Sequence, residues 1–194
     1  MYEGLLMRAS PTKPHVGGNI AGGDPLTYAP SVWDYLINRF CINSVLDLGA
    51  GEAHAANYFH NKGLKVLAVD GMEGNCANKN YPTVHIDLTK GYVTAEVDLV
   101  HCQEVVEHIE EKYIDNLLIS ISCGNYFVMT HALPGQGGYH HVNEQPSEYW
   151  VQQLDRYGFV LLAEDSKRVR QLAVRDGAVY LARTGLVFAN TNGL

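Results

Sequence analysis

The sequence lacks the features that mark secreted, membrane and zinc-ribbon proteins. Its four cysteines are widely separated and include no Cys-x-x-Cys pair, so neither a disulfide framework nor a zinc ribbon is expected. Its longest apolar runs have the length of strands, which argues against a membrane-spanning helix. The N-terminal segment has neither the basic start nor the long apolar stretch of a signal peptide. These absences predict a protein with reduced thiols, located in the cytoplasm.

Positive charge is also scarce. The 194 residues include 14 Lys and Arg against 21 Asp and Glu, which gives a formal net charge of −7. A long nucleic acid needs a positive footprint on its protein, so this balance disfavours nucleic acid as a partner. The expected partner is a small molecule or a saccharide, and no membrane partner is expected. The sequence does not indicate an oligomeric state.

Segments of strand length recur along the chain, and helical segments separate the first four of them. This alternation is typical of a parallel sheet that is covered by helices on both faces. A segment at 168–183 fits either a helix or a hairpin that turns at Asp176-Gly177, and the helix is preferred. The predicted strands cover residues 44–48, 65–69, 83–87, 97–102, 125–131, 158–163 and 185–189.

The most informative segment covers residues 45–54. An apolar run stops at Gly49-Ala50-Gly51, and residues of helix-forming composition follow. Glycines between a strand and a helix let the backbone approach a ligand near the free N–H groups of the helix. A second predicted strand ends at Asp70, about twenty residues later, as in crevices that bind adenosine-containing cofactors.

Residues 45–51, Asp70, residues 86–88 and residues 98–108 form an ordered set that resembles the motifs of class I S-adenosylmethionine-dependent methyltransferases. The resemblance implies a Rossmann-like α/β fold with a seven-stranded, mostly parallel sheet, an antiparallel last strand and helices on both faces. It also implies S-adenosylmethionine as the cofactor. The residues that it assigns to the cofactor are Asp47, Gly49, Ala50 and Gly51 on the methionine side, Asp70, Gly71, Met72, Asp87 and Leu88 around the ribose and adenine, and Cys102 and Gln103 near the reactive methyl group.

A nicotinamide dinucleotide is the competing cofactor. Its Gly-x-Gly-x-x-Gly/Ala fingerprint needs a small third residue for close packing beside the pyrophosphate, and His54 stands at that position here. S-adenosylmethionine has no phosphate and does not need that packing. The sequence therefore favours a methyltransferase over an NAD-binding oxidoreductase, and a non-catalytic cofactor-binding module is a further alternative.

Residue types that bind metals follow the fourth predicted strand. If a helix begins there, Glu104, Glu107 and His108 share one face, and the loop at 139–143 brings His141 to the same edge of the sheet. This set resembles the metal site of small-RNA 3′-terminal 2′-O-methyltransferases and of metal-dependent O-methyltransferases of quinone biosynthesis. Oxygen and imidazole ligands suit Mg²⁺ or Mn²⁺. The same segment is common in metal-free members of the superfamily, and there His108 or His141 could act as a general base.

The expected function is O-methylation of a small-molecule or sugar-like hydroxyl. The alternative is 2′-O-methylation of an RNA 3′ terminus, which would need a basic groove. Residues 1–28 are rich in proline and glycine and predict an N-terminal arm, followed by a methyltransferase domain at 29–194. We hypothesise that this arm folds as a lid over the cofactor or the acceptor.

Overall fold

The structure is a computed structural model that describes Met7, Ser10, residues 12–77 and residues 80–192. The rest of the predicted arm, residues 1–6, 8, 9 and 11, lies outside the described residues. Seven strands form one sheet: β1 (Ser44–Leu48), β2 (Lys65–Asp70), β3 (Thr83–His85), β4 (Val97–Cys102), β5 (Gly124–Met129), β6 (Phe159–Leu161) and β7 (Leu186–Asn190).

The strands lie in the order β3-β2-β1-β4-β5-β7-β6. The first five are parallel, and β7 runs antiparallel between β5 and β6. This arrangement confirms the predicted fold class. Strand β3 ends before the predicted boundary because Asp87 forms a turn, in which its carboxylate accepts a hydrogen bond from the backbone N–H of Thr89 at 3.0 Å.

Helices cover both faces of the sheet. They are α1 (Pro30–Phe40), α2 (His54–Asn61), α3 (Glu73–Cys76), α4 (Ile114–Ile121), α5 (Ser147–Asp155), α6 (Ala163–Asp176) and α7 (Val179–Thr184). The segment at 168–183 is helical, as preferred, but it belongs to two helices. Gly177, with a φ of 72°, ends α6 in the left-handed conformation, and that conformation favours glycine. Among these helices, none is long and apolar enough to span a membrane.

No α-helix begins at Glu104, so the shared helical face considered for Glu104, Glu107 and His108 does not form. Glu104 has a φ of 53°, and its backbone N–H donates to the hydroxyl of Thr130 at 2.8 Å. Only a short 3₁₀ turn, Val106–His108, follows. The chain therefore turns sharply where β4 ends, and tertiary contacts rather than a shared helical face set the directions of the side chains that come next.

Two apolar clusters hold the fold together, one against each face of the sheet. One packs α4 and α5 onto the sheet around Phe127 and Trp150. The other packs α1, α2, α6 and α7 around Trp33 and Phe59. Burial of such side chains stabilises the fold by about 1.5–3 kcal/mol each. The carboxyl edge of the parallel strands is left open between these layers, and there the chain forms its main cavity.

Candidate functional site

A cavity of about 1070 Å³ lies at the carboxyl ends of β1, β2 and β4. In open α/β sheets, ligands bind outside the carboxyl ends of the strands. Ligand pockets generally measure about 300–1,000 Å³, so this cavity has room for a cofactor and a second small molecule. Residues of the N-terminal arm and of the loop after β5 line its outer side.

The glycine loop lies close against its neighbours. Gly49 has a φ of 76°, and a Cβ atom there would stand 2.2 Å from Cγ2 of Val105, so no other residue fits without displacement. The backbone N–H groups of Gly49 and Ala50 both donate to the carbonyl of Val69 at 2.9 Å. These contacts fix the loop to the end of β2.

Asp47 supports the glycine loop and α2 from below. One carboxylate oxygen accepts the backbone N–H of Ala56 at 3.0 Å, and the other lies 2.7 Å from Nδ1 of His101. The indole N–H of Trp33 donates to Nε2 of His101 at 3.2 Å. Because an indole N–H only donates, Nε2 of His101 is the acceptor. The hydrogen of the imidazole is therefore on Nδ1, which donates a hydrogen bond to the Asp47 carboxylate. The buried chain of Trp33, His101 and Asp47 thus ties α1, β4, β1 and α2 together.

Asp70 stands at the end of β2, at the border of the cavity. Its carboxylate accepts three hydrogen bonds, from the backbone of Gly51 at 2.8 Å, the backbone of Met72 at 2.8 Å and the side chain of Asn75 at 3.0 Å. Burial raises the pKa of Asp70, and these three hydrogen bonds oppose that shift. A carboxylate has about four acceptor positions, so one of them is left for a ligand hydroxyl.

A second cluster of polar side chains lies at the other end of the cavity. Single ligand atoms of Glu107, His108 and His141 all lie within 4.8 Å of one another. Glu107 is fully buried, and its carboxyl group lies beside its own backbone N–H and the Glu104 carboxyl without a hydrogen bond of good geometry to the described residues. The buried Nδ1 atom of His108 has no hydrogen-bond partner among those residues either. Glu104 is fixed beside them by the hydroxyl of Thr130, which donates to its carboxylate at 2.8 Å.

The pKa values in this cluster follow from burial and like charge. Burial raises the pKa of Glu104 to about 7. Burial and the charge of Glu104 raise the pKa of Glu107 well above its ordinary value of 4.5. Burial, together with the nearby His141, lowers the pKa of His108 to about 4. Two neighbouring carboxyl groups, Glu104 and Glu107, therefore cannot both be ionised here unless a positive charge lies close to them. Either a proton on one of them or a bound cation has to balance the charge.

A divalent cation fits this donor set. It would satisfy the unpaired Glu107 carboxylate, and the mixture of carboxylate oxygens with neutral imidazole suits Mg²⁺ or Mn²⁺. His141 faces a carboxylate, as metal-binding histidines usually do: its Nδ1 lies 3.4 Å from Glu144, which is an ion-pair distance but not a hydrogen bond of good geometry. Glu144 in turn accepts the backbone N–H groups of Gly135 at 2.8 Å and Gly137 at 2.6 Å. The glycine-rich loop is thereby fixed around His141.

The structure brings most of the predicted site residues to the cavity. Those that line it are Asp47, Gly49, Ala50, Gly51, Asp70, Gly71, Leu88, Gln103, Glu104, His108 and His141. Gln103 has a buried amide nitrogen with no partner among the described residues, so it can donate to a ligand. Four others, Met72, Asp87, Cys102 and Glu107, are not in the cavity lining.

These four residues have different surroundings. Cys102 is fully buried in the core, whereas Glu107 lies directly behind the lining residue His108. Asp87 points toward the arm, where Nε2 of His15 lies 3.0 Å from its carboxylate. Met72 precedes α3 and gives its backbone N–H to Asp70. The predicted cofactor contacts of these residues stay predictions.

Two groups of lining residues received no individual role from the sequence, which predicted the arm only as a whole, as a lid. The first belongs to the arm, where the side-chain amide of Asn19 donates to Asn75 at 3.1 Å and a Cβ on Gly71 would stand 2.7 Å from Val16. The second belongs to α7, which contributes Tyr180 and Arg183. No local motif marks either group, because both reach the cavity through long-range packing.

Comparison with known proteins gives a family match. A family model described as a methyltransferase domain matches residues 46–122, which include the glycine loop, Asp70 and residues 104–108. A comparison of the sequence with curated proteins finds no significant match.

Solved structures with the same fold include several methyltransferases. The methyltransferase domain of a bacterial CtHen1-C has a TM-score of 0.54 at 14% identity, with 68% of this chain and 84% of that chain covered. TehB from Haemophilus influenzae has a TM-score of 0.56 at 17% identity, with 70% and 52% covered. Magnesium protoporphyrin IX methyltransferase from Synechocystis PCC 6803, with bound S-adenosylmethionine, has a TM-score of 0.50 at 18% identity, with 68% and 69% covered. At these identities the likeness concerns the fold.

Proposed function

Because the chain is a class I S-adenosylmethionine-dependent methyltransferase, we propose that it methylates a hydroxyl oxygen of a small or sugar-like acceptor with the help of a divalent cation. Glu104, Glu107, His108 and His141 would hold the cation. The observation that carries this proposal is the Glu107 carboxyl group, which is fully buried beside the Glu104 carboxyl and two imidazoles and has no hydrogen bond of good geometry among the described residues. A buried charge without a partner is costly, so a bound cation explains why this carboxylate is there.

The protein's own part in the reaction is to position the reactants. The proton of the acceptor hydroxyl would leave to water where His108 and His141 hold the cation, and to one of these histidines where no cation is bound. The acceptor oxygen forms a bond to the methyl carbon, the bond from that carbon to sulfur breaks, and its electron pair stays on sulfur. The products are a methyl ether and S-adenosylhomocysteine. Mg²⁺ or Mn²⁺, when bound, lowers the pKa of a hydroxyl group that it contacts. Most of the rate enhancement comes from alignment of the oxygen, methyl carbon and sulfur.

In the metal-free alternative, where both imidazoles keep a free lone pair, His141 is the better proton acceptor of the two candidate bases. Burial lowers its pKa, but Glu144 opposes that shift, and a carboxylate stabilises an imidazolium that forms beside it. For His108, burial and the nearby His141 lower the pKa to about 4, although the Glu107 carboxyl lies within 4.8 Å of it. His108 is therefore neutral near pH 7 and suited to donate a lone pair rather than to hold a proton.

The N-terminal arm would serve as the lid of this site. His15 pairs with Asp87 at 3.0 Å and Asn19 with Asn75 at 3.1 Å, so the arm is attached near the predicted adenosine end. Farther along, a Cβ on Gly18 would stand 3.3 Å from the ring of His108. One segment thus covers both the cofactor crevice and the cluster around Glu107, and it would exclude water from the reacting groups.

Thermal unfolding and methyl-transfer assays test the proposal. Mn²⁺ and Mg²⁺ should each raise the melting temperature of the chelator-treated protein. Methyl transfer from S-adenosylmethionine to hydroxyl acceptors should stop in excess chelator and return with either ion. If melting does not respond to divalent ions, or if transfer continues unchanged in chelator, the metal-assisted mechanism is wrong.

A further inference from the structure

One face of the short helix α7 is turned into the cavity. Val179, Tyr180 and Arg183 lie on that face and line the cavity, whereas Leu181 on the opposite face is fully buried in the core. The break at Gly177 allows α7 to leave the direction of α6 and to reach this position. The position of Arg183 at the cavity is therefore set by the packing of α7.

Arg183 acts electrostatically on the cluster at this end of the cavity. Its positive charge lowers the pKa of the Glu104 carboxyl, against the larger effect of burial. Nevertheless, no ion pair or side-chain hydrogen bond of Arg183 is found among the described residues. Two other arginines, by contrast, have defined partners: Arg39 lies 2.9 Å from Asp165, and Arg170 donates to the carbonyl of Gly185 at 2.8 Å.

Lysine and arginine side chains are scarce in the part of the cavity lining that the structure describes. Among the described residues that line it, Arg183 is the one Lys or Arg. Asp24 is the acidic neighbour from the arm, and its carboxylate is turned to the hydroxyl of Tyr180 at 3.2 Å and the backbone N–H of Leu26 at 2.8 Å. The Arg183 guanidinium therefore remains available to a ligand. A guanidinium binds carboxylates and phosphates through paired, charge-assisted hydrogen bonds.

We propose that Arg183 binds a carboxylate or phosphate group of the methyl acceptor. The acceptor's hydroxyl group would lie at the cluster of Glu107, His108 and His141, an assignment that rests on the proposed function. Arg183 is exposed, so the anionic group would point to the opening of the cavity while the hydroxyl lies inside. The acceptor class is then a small hydroxylated molecule with one anionic group, such as a hydroxy acid, a uronic acid or a sugar phosphate.

Binding of three matched probes tests the assignment. Glucuronate carries a carboxylate, glucose 6-phosphate carries a phosphate, and glucose is neutral. Calorimetry would use the full chain saturated with S-adenosylhomocysteine and Mn²⁺. We expect at least one anionic probe to bind more tightly than glucose, and the probe that does so tells carboxylate from phosphate recognition.

Two variants separate this site from general charge effects. Arg183→Gln should weaken binding of the preferred anionic probe on the order of 10- to 100-fold, as expected for a lost charge-assisted hydrogen-bond pair, and should leave glucose unaffected. Arg175→Gln removes the same charge from an exposed position of α6 that does not line the cavity, and it should leave all three affinities unchanged.

The outcomes distinguish the two proposals. If both anionic probes bind no better than glucose, or if Arg183→Gln and Arg175→Gln weaken them equally, the anion site is wrong. If the Arg183-dependent preference is found but no anionic hydroxyl acceptor in a broad panel is methylated, the anion site stands and the proposed O-methylation fails. If only neutral hydroxyl acceptors are methylated, the proposed O-methylation stands and the role of Arg183 is refuted.

Discussion

The two ends of the cavity hold their carboxylates in opposite ways. The Asp70 carboxylate accepts three hydrogen bonds at 2.8–3.0 Å from groups of the protein. The Glu107 carboxyl group is buried more completely, yet it has no hydrogen bond of good geometry among the described residues and lies beside a second carboxyl group, that of Glu104. Since an unpaired buried polar group costs about 1–3 kcal/mol or more, the cofactor end is complete before a ligand binds, whereas the other end needs a proton or a cation.

This difference shows that one cavity can have a rigid end, held by the protein's own hydrogen bonds, and a second end whose charge state depends on a ligand. The glycine loop and Asp70 are held by contacts with neighbouring backbone groups. A fixed site of this kind suits the cofactor, which is the same for every acceptor. The cluster of Glu107, His108 and His141 depends on loops and on a ligand for its final charge state. Changes at one end should therefore leave the other end intact, and this independence can be tested.

The largest effect is expected from Glu107→Gln. The change keeps the shape of the side chain and removes its charge, so we expect Mn²⁺ affinity to fall by roughly 100-fold or more. Loss of a partner that merely orients a metal ligand costs about 10- to 100-fold, and loss of a ligand should cost at least as much. Isothermal calorimetry with Mn²⁺ measures the effect, and affinity for S-adenosylmethionine should stay within about twofold.

The exposed Glu164 provides the matched control for this substitution. Glu164→Gln should keep wild-type Mn²⁺ binding, because Glu164 lies on α6 outside the cavity. Wild-type Mn²⁺ affinity in Glu107→Gln would show that the carboxylate is not a metal ligand. It would also remove the proposed contrast between the two ends.

The next largest effect is expected at the cofactor end. Asp70→Ala removes the predicted ribose contact and the acceptor of Gly51, Met72 and Asn75. Hydrogen bonds to a charged group contribute about 1.5–3 kcal/mol, so the dissociation constant for S-adenosylmethionine should rise on the order of 10- to 100-fold. Calorimetry measures it, and Mn²⁺ affinity should not change. Asp115→Ala, at an exposed residue of α4, is the control and should keep the wild-type cofactor affinity. An unchanged cofactor affinity in Asp70→Ala would mean that the cofactor crevice lies elsewhere.

The cofactor end could be predicted from the sequence because its geometry is local. A strand, a glycine turn and a helix follow one another within residues 44–61, and the residue types specify the turn directly. The family match covers the same segment, and the sheet order agrees with the predicted fold. Residues close together in the sequence were therefore sufficient to predict the backbone geometry at this end of the cavity.

The other end depends on contacts that no local pattern encodes. Glu104 is placed by Thr130, which follows β5, so the helix that would have put Glu104, Glu107 and His108 on one face does not form. Asp87 was predicted at the adenine, but its side chain pairs with His15 of the arm. Arg183 reaches the cavity because a second helix follows Gly177. In each case a tertiary partner, and not the neighbouring sequence, decides where the side chain lies.

A smaller effect is expected in the pH dependence of stability. Burial raises the pKa of Glu104 to about 7 and that of Glu107 well above 4.5, so the folded, metal-free protein keeps protons that the unfolded chain has lost. The free energy of unfolding should therefore fall as pH rises from about 4.5 through about 7. Glu107→Gln should flatten this fall and raise the melting temperature near pH 7 by a few degrees, since about 1 kcal/mol shifts it by roughly 2–4 °C.

Thermal unfolding in chelator between pH 5 and 8 measures this slope. Excess Mn²⁺ should reverse the trend for the wild-type protein, because binding of a cation favours the ionised carboxylates. The same slope in the wild type and in Glu107→Gln would mean that this carboxyl group does not keep its proton in the folded protein.

The smallest effect is expected where the arm joins the two ends. His15→Ala removes the partner of Asp87, an arm contact that is only partly shielded from solvent, and such pairs contribute about 0.2–1 kcal/mol. Affinity for S-adenosylmethionine should therefore fall only a few-fold, while subtilisin should cleave within residues 12–28 faster than in the wild type. His60→Ala, at an exposed position of α2, should change neither.

Protection of the arm by bound cofactor tests the lid itself. Bound cofactor should slow cleavage of the wild-type arm much more than that of His15→Ala, because an arm that has lost its contact near the predicted adenosine end no longer closes over the bound cofactor. Equal protection of both arms by the cofactor would show that the segment packs on the domain without acting as a lid.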